Sequence, residues 1–207
     1  MIWSSPSRTR RKRDTAHAAG TDRTPLRTLA SFLEASPDSG TPTLLDLGPA
    51  LGSNIEFFGR HGCKIFVEDF LRNHLDRSKD SPAEFKPLNY ADGSFDGILC
   101  WDIFDFLEPR EAAPLLRHLC RLLKKKGMII ALFDARPQIQ ARALVHHRIT
   151  DDNGVIHEPI AGIRSRVYHL PNREIMKLFD HFSIVKSYFH KSKFREYLFQ
   201  KKLELPS

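Results

Sequence analysis

The chain has 207 residues, 41% hydrophobic and 28% charged, with a formal net charge of +7. That length predicts one domain of roughly 100 to 200 residues, or one domain with a tail, and argues against two full domains; such a chain buries about 70% of its unfolded surface without disulfide staples. Cys63, Cys100 and Cys120 are too few and too scattered for a disulfide framework or a four-ligand zinc site, no apolar run approaches the roughly 20 residues that span a bilayer, and Met1 to Gly20 lacks a secretory apolar segment, so the expected setting is a reducing cytoplasm.

The positive charge is concentrated at one end. Residues 1–28 carry Arg8, Arg10, Arg11, Lys12, Arg13, Arg23 and Arg27 against Asp14 and Asp22, a net +5 of the total +7. Ser4 to Pro25 is rich in Ser, Thr, Arg and Ala without apolar periodicity, which predicts a disordered basic arm over 1–25 preceding a domain over 26–207. Such an arm is a solvated tail or a sequence-independent phosphate binder, so nucleic acid is a possible partner through it.

Leu26, Leu29, Phe32 and Leu33 recur at helical spacing and predict a leading helix that stops before Pro37. Thr43 to Leu47 reads as a strand, Ser53 to Arg60 as a helix closed by Gly62, and Lys64 to Val67 as a second strand, which together make one βαβ unit. A third strand is expected around Ala83 to Leu88, then an Asp92-Gly93 turn and a strongly apolar strand from Phe95 to Cys100. Pro109 suits the first turn of a helix carrying Leu115, Leu116, Leu119, Leu122 and Leu123. Lys124, Lys125 and Lys126 would lie at its negative end, Gly127 would end it, and Met128 to Phe133 would follow as a strand.

After Pro137 the pattern changes. Ala143 to Ile149 and Val155 to Ile160 alternate on either side of Asp152-Asn153-Gly154, the signature of a β-hairpin inserted at about 141–168. Asn172 is placed to cap a helix containing Ile175, Met176, Leu178 and Phe179. Phe182 to Phe189 and Arg195 to Gln200 then read as an antiparallel pair at the sheet edge. His146, His147, His157 and His169 gather around the hairpin without the spacing of a metal set; they read as surface or strand histidines, and no metal is expected.

The informative segment is Asp46-Leu47-Gly48-Pro49-Ala50-Leu51-Gly52, a strand that ends in an acid and turns into a helix through two glycines. Side chains at Gly48 and Gly52 would keep a ligand away from the backbone, so the turn suits a nucleotide-like group.

With these residues in view the sequence resembles the class I S-adenosylmethionine-dependent methyltransferases. Asp46-Leu47-Gly48 through Gly52 is similar to their Asp-Leu-Gly-x-Gly-x-Gly loop, with Ala50 in place of the middle glycine. Val67-Glu68-Asp69 puts acids at the end of the next strand, and Leu88 through Cys100 resembles the Leu-Pro-Phe-x-Asp-Gly-Ser-Phe-Asp segment before the fourth strand. Leu122 to Gly127 is similar to Leu-Leu-Lys-Pro-Gly-Gly before the fifth. The motifs come in the family's order.

The resemblance implies an α/β fold: a doubly wound, mostly parallel seven-stranded sheet with helices on both faces, an antiparallel last strand and S-adenosyl-L-methionine over the carboxyl ends of the strands. It places the methionine portion near Asp46, Gly48 and Gly52, the ribose hydroxyls at Asp69 and the adenine edge by Glu84 and Phe85. Cys100, Trp101 and Asp102 would leave the fourth strand where cofactor and acceptor meet. A carboxylate suits a diol because it accepts two hydrogen bonds. Methyl transfer to an activated carbon is served by near-attack positioning; if the acceptor must lose a proton, Asp102 or Asp105 is the candidate base.

Cys100 to Leu107 differs from the Asn-Pro-Pro-Tyr and Asp-Pro-Pro-Tyr segments of base- and glutamine-modifying methyltransferases and is closer in look to enzymes of small molecules and lipid-like metabolites. The expected function is methyl transfer to such a metabolite. A nucleic-acid methyltransferase tethered by the basic arm and a noncatalytic cofactor-binding protein are the alternatives.

Overall fold

The computed structural model describes residues 22–34, 40–75, 87–137, 139–151 and 153–203. Its main sheet has six strands among them: β2 (Thr43–Asp46), β3 (Lys64–Val67), β4 (Phe95–Trp101), β5 (Leu123–Asp134), β8 (Phe182–Phe189) and β9 (Phe194–Lys201), in the order β3-β2-β4-β5-β9-β8. The first four are parallel, and β9 runs antiparallel to both β5 and β8. Six strands are thus seen where seven were expected; most of the remaining segment, Ala83 to Phe85 included, lies outside the described residues, and 87–88 are not strand.

The two faces of this sheet follow from alternation along buried parallel strands. Ile98 and Cys100 of β4, with Ile129, Ala131 and Phe133 of β5, enter one core with Leu115 and Leu119 of α4 (Pro109–Leu122) and Ile175 of α5 (Asn172–Leu178). Leu99 and Trp101, with Met128, Ile130 and Leu132, face the other way into a core with Leu29 and Phe32 of α1 (Leu29–Glu34) and Phe57 and Phe58 of α2 (Gly52–Arg60). A short helix α3 (Phe70–Leu75) follows β3, and a single turn of 3-10 helix, Ile103–Phe106, follows β4.

The inserted hairpin is longer than its sequence pattern: β6 (Ala141–Ile149) pairs antiparallel with β7 (Gly154–Arg166), and Asn153 at φ 57° supplies the left-handed turn residue. Its register breaks between Ala143 and Val145, where Ile160 to Ile163 bulge out of β7. The expected arm over 1–25 is corrected at its end: β1 (Asp22–Pro25) pairs antiparallel with β7, from Asp22 opposite His157 to Pro25 opposite Gly154. The open backbone groups of β7 give this polar tetrapeptide partners that its own pattern did not reveal. Residues 1–21 lie outside the described residues.

Two smaller expectations also change. Lys124, Lys125 and Lys126 belong to β5 and not to the end of a helix, because α4 stops at Leu122. Pro171 occupies the cap of α5, while Asn172 begins the helix and accepts a hydrogen bond from the Tyr197 hydroxyl at 2.5 Å. The amino end of α4 is as expected for Pro109, with Glu108 and Glu111 forming a reciprocal capping box around it.

Candidate functional site

A cavity of about 240 Å³ opens at the carboxyl ends of β2, β3 and β4. Leu47, Gly48 and Pro49 of the first turn, Asp69 after β3, and Trp101 and Asp102 at the end of β4 line one part of it. Leu144 to His147, Ile160 and Ile163 of the hairpin line the opposite part, with Leu71, Arg72 and Leu75 of α3 between. Another cavity of about 290 Å³ lies between α4 and α5 and holds none of the residues singled out in the strand-end motifs. The parallel-sheet rule that ligands sit beyond strand carboxyl ends selects the first.

Asp46 is 1% exposed and receives two hydrogen bonds on one carboxylate oxygen: the Gly48 backbone amide at 2.8 Å and the Trp101 indole N–H at 2.6 Å. Burial pushes its pKa up to about 6 against the lowering effect of these bonds. Trp101 turns the N–H edge of its indole toward the turn, so a Cβ at Gly48 would come within 2.9 Å of the indole nitrogen. Glycine is required there by contact with protein as well as by any ligand. Trp101 has φ 48°, a left-handed conformation costly for a bulky residue. Its bond to Asp46 and its stacking on His147, with ring centroids 5.0 Å apart and planes 3° apart, hold it there.

The two acids after β3 diverge, as successive residues of extended chain must. Asp69 lines the cavity, and its carboxylate makes no hydrogen bond or ion pair among the described residues. Glu68 instead accepts the Tyr90 hydroxyl at 2.7 Å. Gly52 begins α2 outside the cavity wall, and Cys100 points into the core, fully buried, with burial raising its thiol pKa. Glu84 and Phe85 lie outside the described residues.

The two candidate bases are arranged differently from each other. Asp102 borders the cavity, yet Arg142 Nη1 stands 2.6 Å from one of its oxygens and His147 Nε2 2.9 Å from the other. Burial raises its pKa, but the two cationic or donor partners outweigh that and hold it well below the usual carboxylate range. Asp102 is therefore suited to orienting His147 and poorly suited to taking a proton. Asp105 does not line the cavity: it is 0% exposed and binds the Asp134 amide at 2.8 Å and Arg142 Nη2 at 3.0 Å. Burial, opposed by Arg142, pushes it up to about 7, but the enclosure that does so also removes it from any acceptor.

His147 lies on strand β6, within the expected surface-or-strand reading, but it is buried and has partners that the sequence does not signal. It is 3% exposed; besides Asp102 and Trp101 it meets His157, with the two Nδ1 atoms 3.0 Å apart. His157 in turn stacks on Phe194, and burial followed by His147 lowers its pKa to about 3, so it remains neutral. Arg142 and Asn54 also went unread, because each acts only on partners brought close by the fold; the sole local signal for His147 is the alternation that puts it on the same face of β6 as buried Ile149. No group of three or more metal-binding side chains occurs among the described residues.

Residues 45–131 match a family model described as a methyltransferase domain. No curated protein sequence matches the chain. Among solved structures, a protein from Pyrococcus horikoshii OT3 is 20% identical with a TM-score of 0.54, covering 86% of this chain and 89% of its own. An S-adenosylmethionine-dependent methyltransferase from Mesorhizobium loti is 14% identical at a TM-score of 0.53, with 84% and 97% covered. A glycopeptide N-methyltransferase solved with (S)-adenosyl-L-methionine is 12% identical at 0.51, with 95% and 100% covered. At these identities the likeness is one of fold.

Proposed function

We propose that this chain, whose residues 45–131 match a methyltransferase domain model, is a class I S-adenosylmethionine-dependent methyltransferase that transfers a methyl group to a small-molecule or lipid-like metabolite bound under the hairpin. The observation that carries the reading is one continuous cavity with two unlike ends. At one end are the Gly48 turn and the unpaired carboxylate of Asp69; at the other are Leu144, Val145, Ile160 and Ile163. A largely aliphatic wall with a few convergent polar groups is the usual make-up of a small-molecule site.

The residues present fit the cofactor. Asp69 presents a charged acceptor with no competing partner among the described residues, which suits a pair of ribose hydroxyls, and the turn from Leu47 to Pro49 brings backbone to the cavity surface. Asp46 braces that turn through its hydrogen bonds to the Gly48 amide and to Trp101, which itself lines the cavity. The proposed adenine contacts of Glu84 and Phe85 and the methionine contact of Gly52 rest on the resemblance.

Bound cofactor supplies a methyl carbon already activated by its sulfonium. The chain's own task is then to hold the acceptor in line and to exclude water. Trp101, Ile160 and Ile163 exclude water, while Asp102 and Arg142 fix the hairpin's His147 beside Trp101. Neither Asp102 nor Asp105 is needed as a base in this arrangement. Calorimetry should give micromolar dissociation constants for S-adenosylmethionine and S-adenosylhomocysteine, about −8 kcal/mol. Labelled cofactor incubated with a metabolite extract should yield a product heavier by one methyl-for-hydrogen exchange. Absence of both heat and thermal shift at millimolar ligand would overturn the reading; binding without transfer to any acceptor pool would favour a noncatalytic protein.

A further inference from the structure

Asn54 stands two residues inside α2, directly after the cofactor turn, and is 2% exposed. Both groups of its carboxamide reach the hairpin, and its side chain also hydrogen-bonds Asp46 of the turn. Nδ2 donates to the His147 carbonyl at 2.9 Å, and Oδ1 accepts the Ile149 amide at 2.8 Å. β6 is an edge strand, paired only with β7, and residues two apart along it direct their backbone groups to the same side. Asn54 therefore completes the open edge of β6 as one residue of a neighbouring strand would, across separations of 93 and 95 positions.

A second tie meets the same strand from the cofactor side. Trp101 donates to Asp46 at the start of the turn and stacks on the ring of the same His147 whose carbonyl Asn54 holds. The turn is thus joined to the hairpin on both flanks, through the helix that follows it and through the strand end beside it.

We propose that Asn54 is a positioning residue for the transfer reaction: it fixes the acceptor-side hairpin at one height over the cofactor turn, so that ordering of the turn by cofactor is transmitted to the hairpin wall. This rests on the methyltransferase reading. The acceptor half of the cavity is then assembled fully only when the cofactor half is filled.

The test uses the full chain, S-adenosylhomocysteine as the probe, and amide hydrogen exchange read over β6. In the wild type the probe should slow exchange across His147 to Ile149 by about tenfold or more. Asn54→Ala and Asn54→Leu, which is close in size and makes neither hydrogen bond, should still bind the probe by calorimetry. Ligand-free exchange in β6 should be about tenfold to a hundredfold faster in Asn54→Ala, the change expected for two buried hydrogen bonds, and the probe should no longer slow it in either variant. Indole emission gives a second reading: with Trp3→Phe, Trp101 is the only tryptophan, and its emission should shift with the probe. Probe binding with unchanged exchange in wild-type β6, or equal slowing in Asn54→Leu, overturns the proposal and spares the methyltransferase reading. No probe binding to the wild type overturns both. If Asn54→Ala does not fold, Asn54→Leu decides.

Discussion

Arg142 Nη1 lies 2.6 Å from Asp102 Oδ2, and the same guanidinium reaches Asp105 Oδ2 through Nη2 at 3.0 Å while stacking over Phe106 at 4.4 Å. One cation from the hairpin thereby compensates two carboxylates buried after β4. Each carboxylate alone would carry a large desolvation cost, so loss of the shared partner is more damaging than loss of either acid. Arg142→Ala should lower stability by about 3 to 5 kcal/mol in urea unfolding. Asp105→Asn should cost clearly less. The reverse ranking would mean that the guanidinium contributes little to holding the hairpin.

Asp69 and Glu68 are neighbours with separate tasks: one faces the cavity and the other the Tyr90 hydroxyl. Loss of a charged acceptor for ribose hydroxyls corresponds to about 1.5 to 3 kcal/mol, roughly 10- to 150-fold in affinity. Asp69→Ala should weaken S-adenosylhomocysteine binding by that factor, and Glu68→Ala by less than about threefold. Calorimetry on folded variants that returned the opposite order would assign the ribose contact to Glu68.

The buried titratable groups predict opposing limbs of stability against pH. Burial, then His147 and Arg142, lower His157 to about 3 from 6.5, with Asp102 opposing and His190 adding to the lowering. Between these values the unfolded chain binds a proton that the folded chain does not, so stability falls as pH falls below about 6.5. Asp105 is raised from 3.8 to about 7, and Asp46 to about 6; their contributions are present at low pH and are lost as pH rises through those values. His157→Gln should therefore flatten the decline in melting temperature as pH falls from 6.5 to about 3, and Asp105→Asn should flatten the decline as pH rises from 3.8 to about 7. Parallel profiles in variant and wild type would remove these groups from the linkage.

The hairpin does more than roof the cavity. Ile149 and Val155 belong to the second core, so replacing Val145 to Glu158 by a flexible link would cost the fold as well as the pocket. The pocket is better probed at its rim, where Ile163 is 36% exposed and still lines the cavity. Ile163→Arg should leave the melting temperature and S-adenosylhomocysteine affinity close to wild type and lower labelled methyl transfer to the metabolite pool by about tenfold, since a charge in an apolar wall is costly to desolvate. Undiminished transfer would place the acceptor elsewhere.

Much of this protein is set by local pattern. β3 and β8 occupy the residues their composition marks, β4 extends its expected range by a single residue, and the Asn153-Gly154 turn sits where a left-handed residue was needed. Gly48 and Asp69 lie together on the cavity wall, as the motif order of the resemblance implied, because both follow the carboxyl ends of adjacent parallel strands. The roles of Asp102, Arg142, His147 and Asn54 had no such signature. Asp102 meets His147 across 45 positions, and Asn54 meets β6 across more than 90, so only the packing of the hairpin on the sheet decides their partners. Asp102 and Asp105 look alike in sequence, three residues apart after one strand. Two contacts from the hairpin make the first a strong acid, and enclosure makes the second a weak one. Sequence supplies the charge; how strongly it holds its proton depends on which distant groups the fold brings to it and how much water it excludes.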